Sequence, residues 1–131
     1  MPAVDTNLLV RYVVRDDEAQ FLMVQDLVCN CVRAQQSLYV PVTVTLELEW
    51  VLRSSFGFDK NTVVGVLSDL FSAAELSFES ERALEVALHH FRNGRAEFAD
   101  CVHVALAMQA GEAPLWTFDK AAAKISGARL L

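Results

Sequence analysis

Glycine (5), proline (3) and cysteine (3) are all scarce in this chain of 131 residues. So little Gly and Pro argues against a collagen-like, low-complexity or turn-dense all-β protein. Three cysteines cannot all pair with one another: Cys29 and Cys31 fall on one predicted helix, and Cys101 stands apart. No His/Cys group has zinc-finger spacing, so the thiols read as small core residues of a protein kept in a reducing compartment. No apolar run approaches the ~18 residues that a membrane helix needs. The opening Met1-Pro2-Ala3-Val4-Asp5 lacks the basic stretch and long apolar run of a secretory signal. A cytoplasmic protein with no membrane partner is therefore expected. Neither G-x-x-x-x-G-K-[ST] nor G-x-G-x-x-G occurs, and there is no internal repeat.

Positive charge is in deficit too. Eleven basic residues against 17 acidic ones leave a net charge of -6, the reverse of the electropositive face usual in a nucleic-acid binder. What is present is apolar material. At 53% apolar and 21% charged residues, the chain can bury a sizeable core, and its length fits one domain over residues 1–131.

Short apolar segments alternate with helical patterns. Val4 ends the first segment, and a helical pattern follows over Leu8 to Val14. Asp16-Asp17-Glu18 opens a second helix, whose Phe21, Val24, Val28 and Cys31 make one buried stripe. Strands are expected at Ser37–Val40, Leu76–Phe78, Leu115–Phe118 and the last few residues. Helices are expected from Thr43 to about Arg53, after Asp59, after Ser80, and from Phe98 to Ala110, with a short one after Asp119. That order predicts an α/β chain with a parallel sheet between helices, a three-layer α/β/α domain. Such sheets bind ligands beyond the carboxyl ends of their strands.

Acids stand where such a site forms. Asp5 and Asp119 each follow a short strand directly; the plainer account of each is an N-cap of the next helix. Glu47 has Thr43, Val44, Trp50 and Val51 at helical neighbour positions, three of them apolar. A carboxylate on an apolar stripe is costly unless paired, protonated or bound to metal, which predicts a functional Glu47. Glu49, by contrast, has Arg53 four residues on, and an exposed ion pair accounts for it. Asp100 lies near a helix start, where a negative charge complements the helix dipole, but Glu97 one turn earlier repels it unless a cation joins them.

Gathered together, Asp5, Glu47, Asp100 and Asp119 would need a cation. Mg²⁺ or Mn²⁺ suits an all-carboxylate shell better than Zn²⁺. Removing these four charges takes the net charge from -6 to -2, as would adding two divalent ions.

The same segments carry a family likeness. Val4-Asp5-Thr6-Asn7-Leu8-Leu9-Val10-Arg11, Thr45-Leu46-Glu47-Leu48-Glu49-Trp50-Val51-Leu52, Phe98-Ala99-Asp100-Cys101-Val102-His103-Val104-Ala105 and Thr117-Phe118-Asp119 resemble a PIN domain in order and spacing. More narrowly, they resemble the VapC toxins of toxin–antitoxin pairs. The resemblance implies a metal-dependent ribonuclease in which Asp5, Glu47, Asp100 and Asp119 form an acidic quartet. Asn7 then matches a polar position that steadies the first Asp, and Thr117 a Ser/Thr near the fourth acid. Glu97 departs from the pattern, since many relatives carry Asp there. A homodimer and an antitoxin whose tail covers the pocket are implied as well.

The chemistry expected is hydrolysis of RNA phosphodiester bonds by one or two Mg²⁺ (or Mn²⁺) ions, leaving 5′-phosphate and 3′-hydroxyl ends. RNA must also be held away from the acids. Arg92 and Arg95, before Asp100, and Arg11 and Arg15, after Asp5, are the candidates, against the plainer account of solvated surface charges. His103 reads as a packing or surface histidine, and His89-His90 is not a metal pair. Trp50, Phe56, Phe58, Phe71 and Phe91 read as core or dimer surface. Two rival readings stand beside this one. A phosphohydrolase using Asp5 as nucleophile would want a second Asp where Asn7 stands. A non-catalytic PIN scaffold would be expected to have lost acids. DNA is an alternative substrate.

Overall fold

A computed structural model describes all residues, Met1–Leu131. Its chain divides into two units, Met1–Glu79 and Ser80–Leu131, each with one parallel pair of three-residue strands.

In the first unit, α1 (Thr6–Val14) and α2 (Glu18–Arg33) precede β1 (Leu38–Val40). Then come α3 (Val42–Ser54), α4 (Lys60–Phe71) and β2 (Leu76–Phe78). The helix starts follow local chemistry: Asp5, Asp17 and Asp59 each accept a hydrogen bond from the backbone N–H three residues on, at Leu8, Gln20 and Thr62. At Asp59 the bonds from Thr62 hold the carboxyl below its ordinary value of 3.8. The predicted stripe of α2 is buried at Phe21, Val24 and Cys31.

β1 and β2 run parallel, Leu38 opposite Leu76 and Val40 opposite Phe78. The other edge of β1 is taken by the N-terminal segment. Tyr39 N–H donates to the Pro2 carbonyl (2.8 Å) and Val4 N–H to the Tyr39 carbonyl (3.0 Å), in parallel sense. With both edges paired, β1 is a central strand, and Leu38 and Val40 are fully buried. Because all three segments point the same way, Asp5, Pro41 and Glu79 follow their ends on one edge of this unit.

In the second unit, α5 (Glu81–Asn93) and α6 (Phe98–Gln109) precede β3 (Leu115–Thr117). A 3₁₀ turn (Ala122–Lys124) and β4 (Ala128–Leu130) follow. Ala83, Leu84, Ala87, Leu88 and Phe91 make the buried face of α5, and Phe91 meets Phe98 of α6 edge-on with ring centroids 5.5 Å apart. Leu115 pairs with Ala128 and Thr117 with Leu130, again in parallel. Gly127 leads into β4 with φ +102°, a conformation that a side chain resists, and a Cβ there would fall 2.6 Å from Met108 Sδ.

Parallel pairing is as expected, though it forms two separate two-stranded sheets. Three details differ from the sequence reading. Ser80 sits at the start of α5 in a left-handed conformation (φ 57°) and makes no side-chain cap. The helix expected after Asp119 shrinks to the 3₁₀ turn. Cys31 and Cys101 are buried, but Cys29 is exposed, because it lies off the stripe that α2 buries.

The two tyrosines give a direct check on the packing of the first unit. Burial raises the Tyr12 phenol above 10.0, helped by Glu75, which accepts its hydrogen bond. Burial and then Glu79 raise Tyr39 in the same way. A raised phenol contributes stability that is complete below pH 10.0 and is lost as pH rises through the folded-state values. Tyrosinate absorbance should therefore show no phenol titrating at its ordinary value in the folded protein, and both returning to it in denaturant. Normal titration of either in the folded chain would contradict this packing.

Candidate functional site

Each predicted acid has a definite structural setting. Asp5 is exposed, and its Oδ1 accepts from Leu8 N–H at 3.0 Å. It does cap α1, so the plainer account is true of it, and its second oxygen is left over for other work. Thr6, the next residue, is buried, and its hydroxyl donates to Glu47 Oε1. This bond ties the middle of α3 to the start of α1 and holds one carboxylate beside the residue that carries another.

Glu47 itself is a correction. It is exposed, not buried on an apolar stripe. The buried stripe of α3 is Thr45, Leu48, Glu49 and Leu52, the helical i, i+3, i+4, i+7 spacing. The apolar neighbours that suggested burial lie off it: Trp50 is 58% exposed. Glu49, expected at the surface, is only 2% exposed. Its ion pair with Arg53 was expected and is present, with Arg53 Nε donating to Oε2 and Nη2 to Oε1 (3.2 Å). The acid that burial singles out on α3 is thus the structural one. Glu47 is marked instead by its bond from Thr6.

A further acid in this unit escaped the sequence reading. Glu79, directly after β2, accepts from Val42 N–H at 2.8 Å. The N-cap residue of α3 is Pro41, whose ring offers no hydrogen-bond acceptor, so Glu79 performs that task from the neighbouring strand end. Asn7, expected to steady Asp5, is exposed and lines a shallow cavity of about 350 Å³ with Arg11 and Gln20. Thr6 and the Leu8 N–H are what organise the neighbourhood of Asp5.

In the second unit, Asp100 is half-buried in the first turn of α6, and no salt bridge engages it. Glu97 occupies the N-cap position without a side-chain cap bond. Asp119 is exposed just past β3. Its Oδ1 accepts from Ala122 N–H at 2.8 Å, and its own N–H donates to Thr117 Oγ1 at 3.0 Å. Thr117 therefore sets the backbone from which Asp119 projects. Phe118, between them, is 80% exposed. His103 is exposed, consistent with a surface histidine.

The candidate arginines separate. Arg11 pairs with Asp16 (3.1 Å), and the Arg15 guanidinium lies 3.8 Å over the Phe21 ring; both have local structural employment. Arg92 and Arg95 are exposed.

Neither unit by itself gathers three His, Cys, Asp or Glu side chains closely enough to hold a metal ion. The donor chemistry nevertheless suits a hard cation. The candidates are carboxylates, and Mg²⁺ accepts one or two of them while keeping several waters. Asp5 precedes Thr6 in the chain, and Glu47 accepts a hydrogen bond from the Thr6 hydroxyl.

Short parallel strands with acids just beyond their ends make an α/β domain of the kind that binds ligands at those ends. The family model of the PIN domain matches residues 3–128, and the chain belongs to that family. PIN domains are generally nucleases, usually metal-dependent, and act on nucleic acid. No individual curated protein matches the chain significantly. No helix is long and apolar enough to cross a membrane.

Proposed function

We propose that the chain is a Mg²⁺- or Mn²⁺-dependent endoribonuclease, the toxin of a VapBC-type pair, with Asp5, Glu47, Asp100 and Asp119 as its acidic quartet. The observation that carries this reading is the bond from buried Thr6 to Glu47. It holds a solvent-facing carboxylate of α3 against the residue that follows the first acid in the chain.

Held by these carboxylates, a divalent ion would supply Lewis-acid charge to the phosphate and an activated water. The chain's own residues do the positioning. Leu8 N–H fixes one oxygen of Asp5, Thr6 fixes one of Glu47, and Thr117 sets the backbone of Asp119. Asp100, with no ion-pair partner, keeps its charge available at the start of α6. The cognate antitoxin and a second copy of the chain are the partners proposed, and the cytoplasm is the proposed location.

The test is cleavage of single-stranded RNA by nuclease-free protein. Cleavage should require added Mg²⁺ or Mn²⁺, stop with chelator, and leave 5′-phosphate ends. Thr6→Val keeps the shape but removes the donor, and should slow cleavage on the order of tenfold, the scale at which supports of a metal ligand act. RNA left intact in Mn²⁺ would count against the enzyme and for a scaffold.

A further inference from the structure

The second unit contains a cavity of about 530 Å³ that none of the acids lines. Its walls come from the end of α5, the loop before α6, and the turn after Asp119. Arg95, Lys120 and Lys124 face it, with His90 and Asn93, over apolar residues that include buried Ala96 and Ile125.

Three of the chain's eleven Lys and Arg residues thus meet around one hollow on a protein of net charge -6. None of the three forms a salt bridge. Two other cations do form salt bridges, Arg11 with Asp16 and Arg53 with Glu49. Like charges collected around a concave surface repel one another and focus a positive potential into it. An anion relieves that repulsion. The volume falls in the range of small-ligand pockets, and the apolar floor beside the cations suits a ligand with one flat apolar part and one anionic part.

We propose that this cavity is a nucleotide subsite. It would hold a phosphate on Arg95, Lys120 and Lys124 and pack the attached base or sugar against Ala96 and Ile125. The inference deepens the nuclease reading and rests on it for the source of the nucleotide, a strand being cut. The binding itself needs no metal and no cleavage. It also separates Arg95 from Arg92, which does not line the cavity.

The experiment measures binding by the full chain in chelator, so that nothing is cleaved. The probes are a short labelled single-stranded oligoribonucleotide, 5′-AMP and adenosine. The variants are Arg95→Gln, Lys120→Gln, Lys124→Gln and the three combined, with Arg33→Gln as a control on α2. Circular dichroism checks the fold, and the single variants carry the test if the triple one does not fold. For a strand, the triple variant should weaken binding about tenfold or more and reduce the slope of log affinity against log salt by roughly 0.7, the amount for one phosphate contact on a single strand. Binding of 5′-AMP that competes with the oligonucleotide and is lost with the same substitutions supports the subsite. Binding of 5′-AMP alone supports it with a free nucleotide as source. Adenosine should bind far more weakly than either. Affinity and salt slope unchanged in the variants would overturn the proposal. No cleavage by the unaltered chain in Mn²⁺, with this binding present, would instead overturn the nuclease reading and leave the subsite standing.

Discussion

Asp5→Asn is expected to lower metal-dependent RNA cleavage by a hundredfold or more, on the scale of removing one member of a preorganised electrostatic set. The substitution is chosen from the geometry. Asp5 Oδ1 accepts from Leu8 N–H and caps α1. Alanine would remove that cap, at about 1 kcal/mol, and confuse a loss of fold with a loss of chemistry. Asparagine keeps an oxygen for the cap and removes only the charge. The thermal midpoint should therefore barely move while cleavage collapses. Undiminished turnover by a preparation free of other nucleases would remove Asp5 from the chemistry and leave it as a helix cap.

Arg53→Met should produce the largest loss of stability. Glu49 keeps 3% of its side-chain surface in water and Arg53 31%. Removing the arginine strands a buried carboxylate, which costs about 3 kcal/mol, the low end for breaking a buried pair because Arg53 is partly hydrated. For a domain of this size the thermal midpoint should fall by on the order of 10 °C. The double variant Glu49→Met with Arg53→Met should recover most of that loss, since two apolar side chains then fill the space with no charge to bury. A double variant no better than Arg53→Met would mean that the arginine acts through contacts other than Glu49.

That pair also shows where sequence reasoning met its limit. α3 carries apolar residues on every side, so its apolar neighbours could not reveal which side is buried. The Thr45, Leu48, Glu49, Leu52 spacing was legible, with Arg53 placed to neutralise its one charge. The Val44, Trp50, Val51 set was legible as well, and it pointed to Glu47. What packs against the helix made the choice. The bond from Thr6 to Glu47 spans 41 residues, and nothing local to either announces it. Glu79 capping Val42, and Lys120 and Lys124 standing beside Arg95 at the cavity, escaped for the same reason.

The order of elements, the caps at Asp5, Asp17 and Asp59, the parallel pairing and the placing of acids just past strand ends were set by the chain alone. Such signals act within a turn or two of helix or along a few strand residues. Which carboxylate of α3 is buried, which threonine reaches across to hold the other, and which arginine shares a hollow with Lys120 and Lys124 were decided only on folding. Those outcomes depend on surfaces brought together from distant parts of the chain, where burial and charge are set by neighbours that local spacing does not specify.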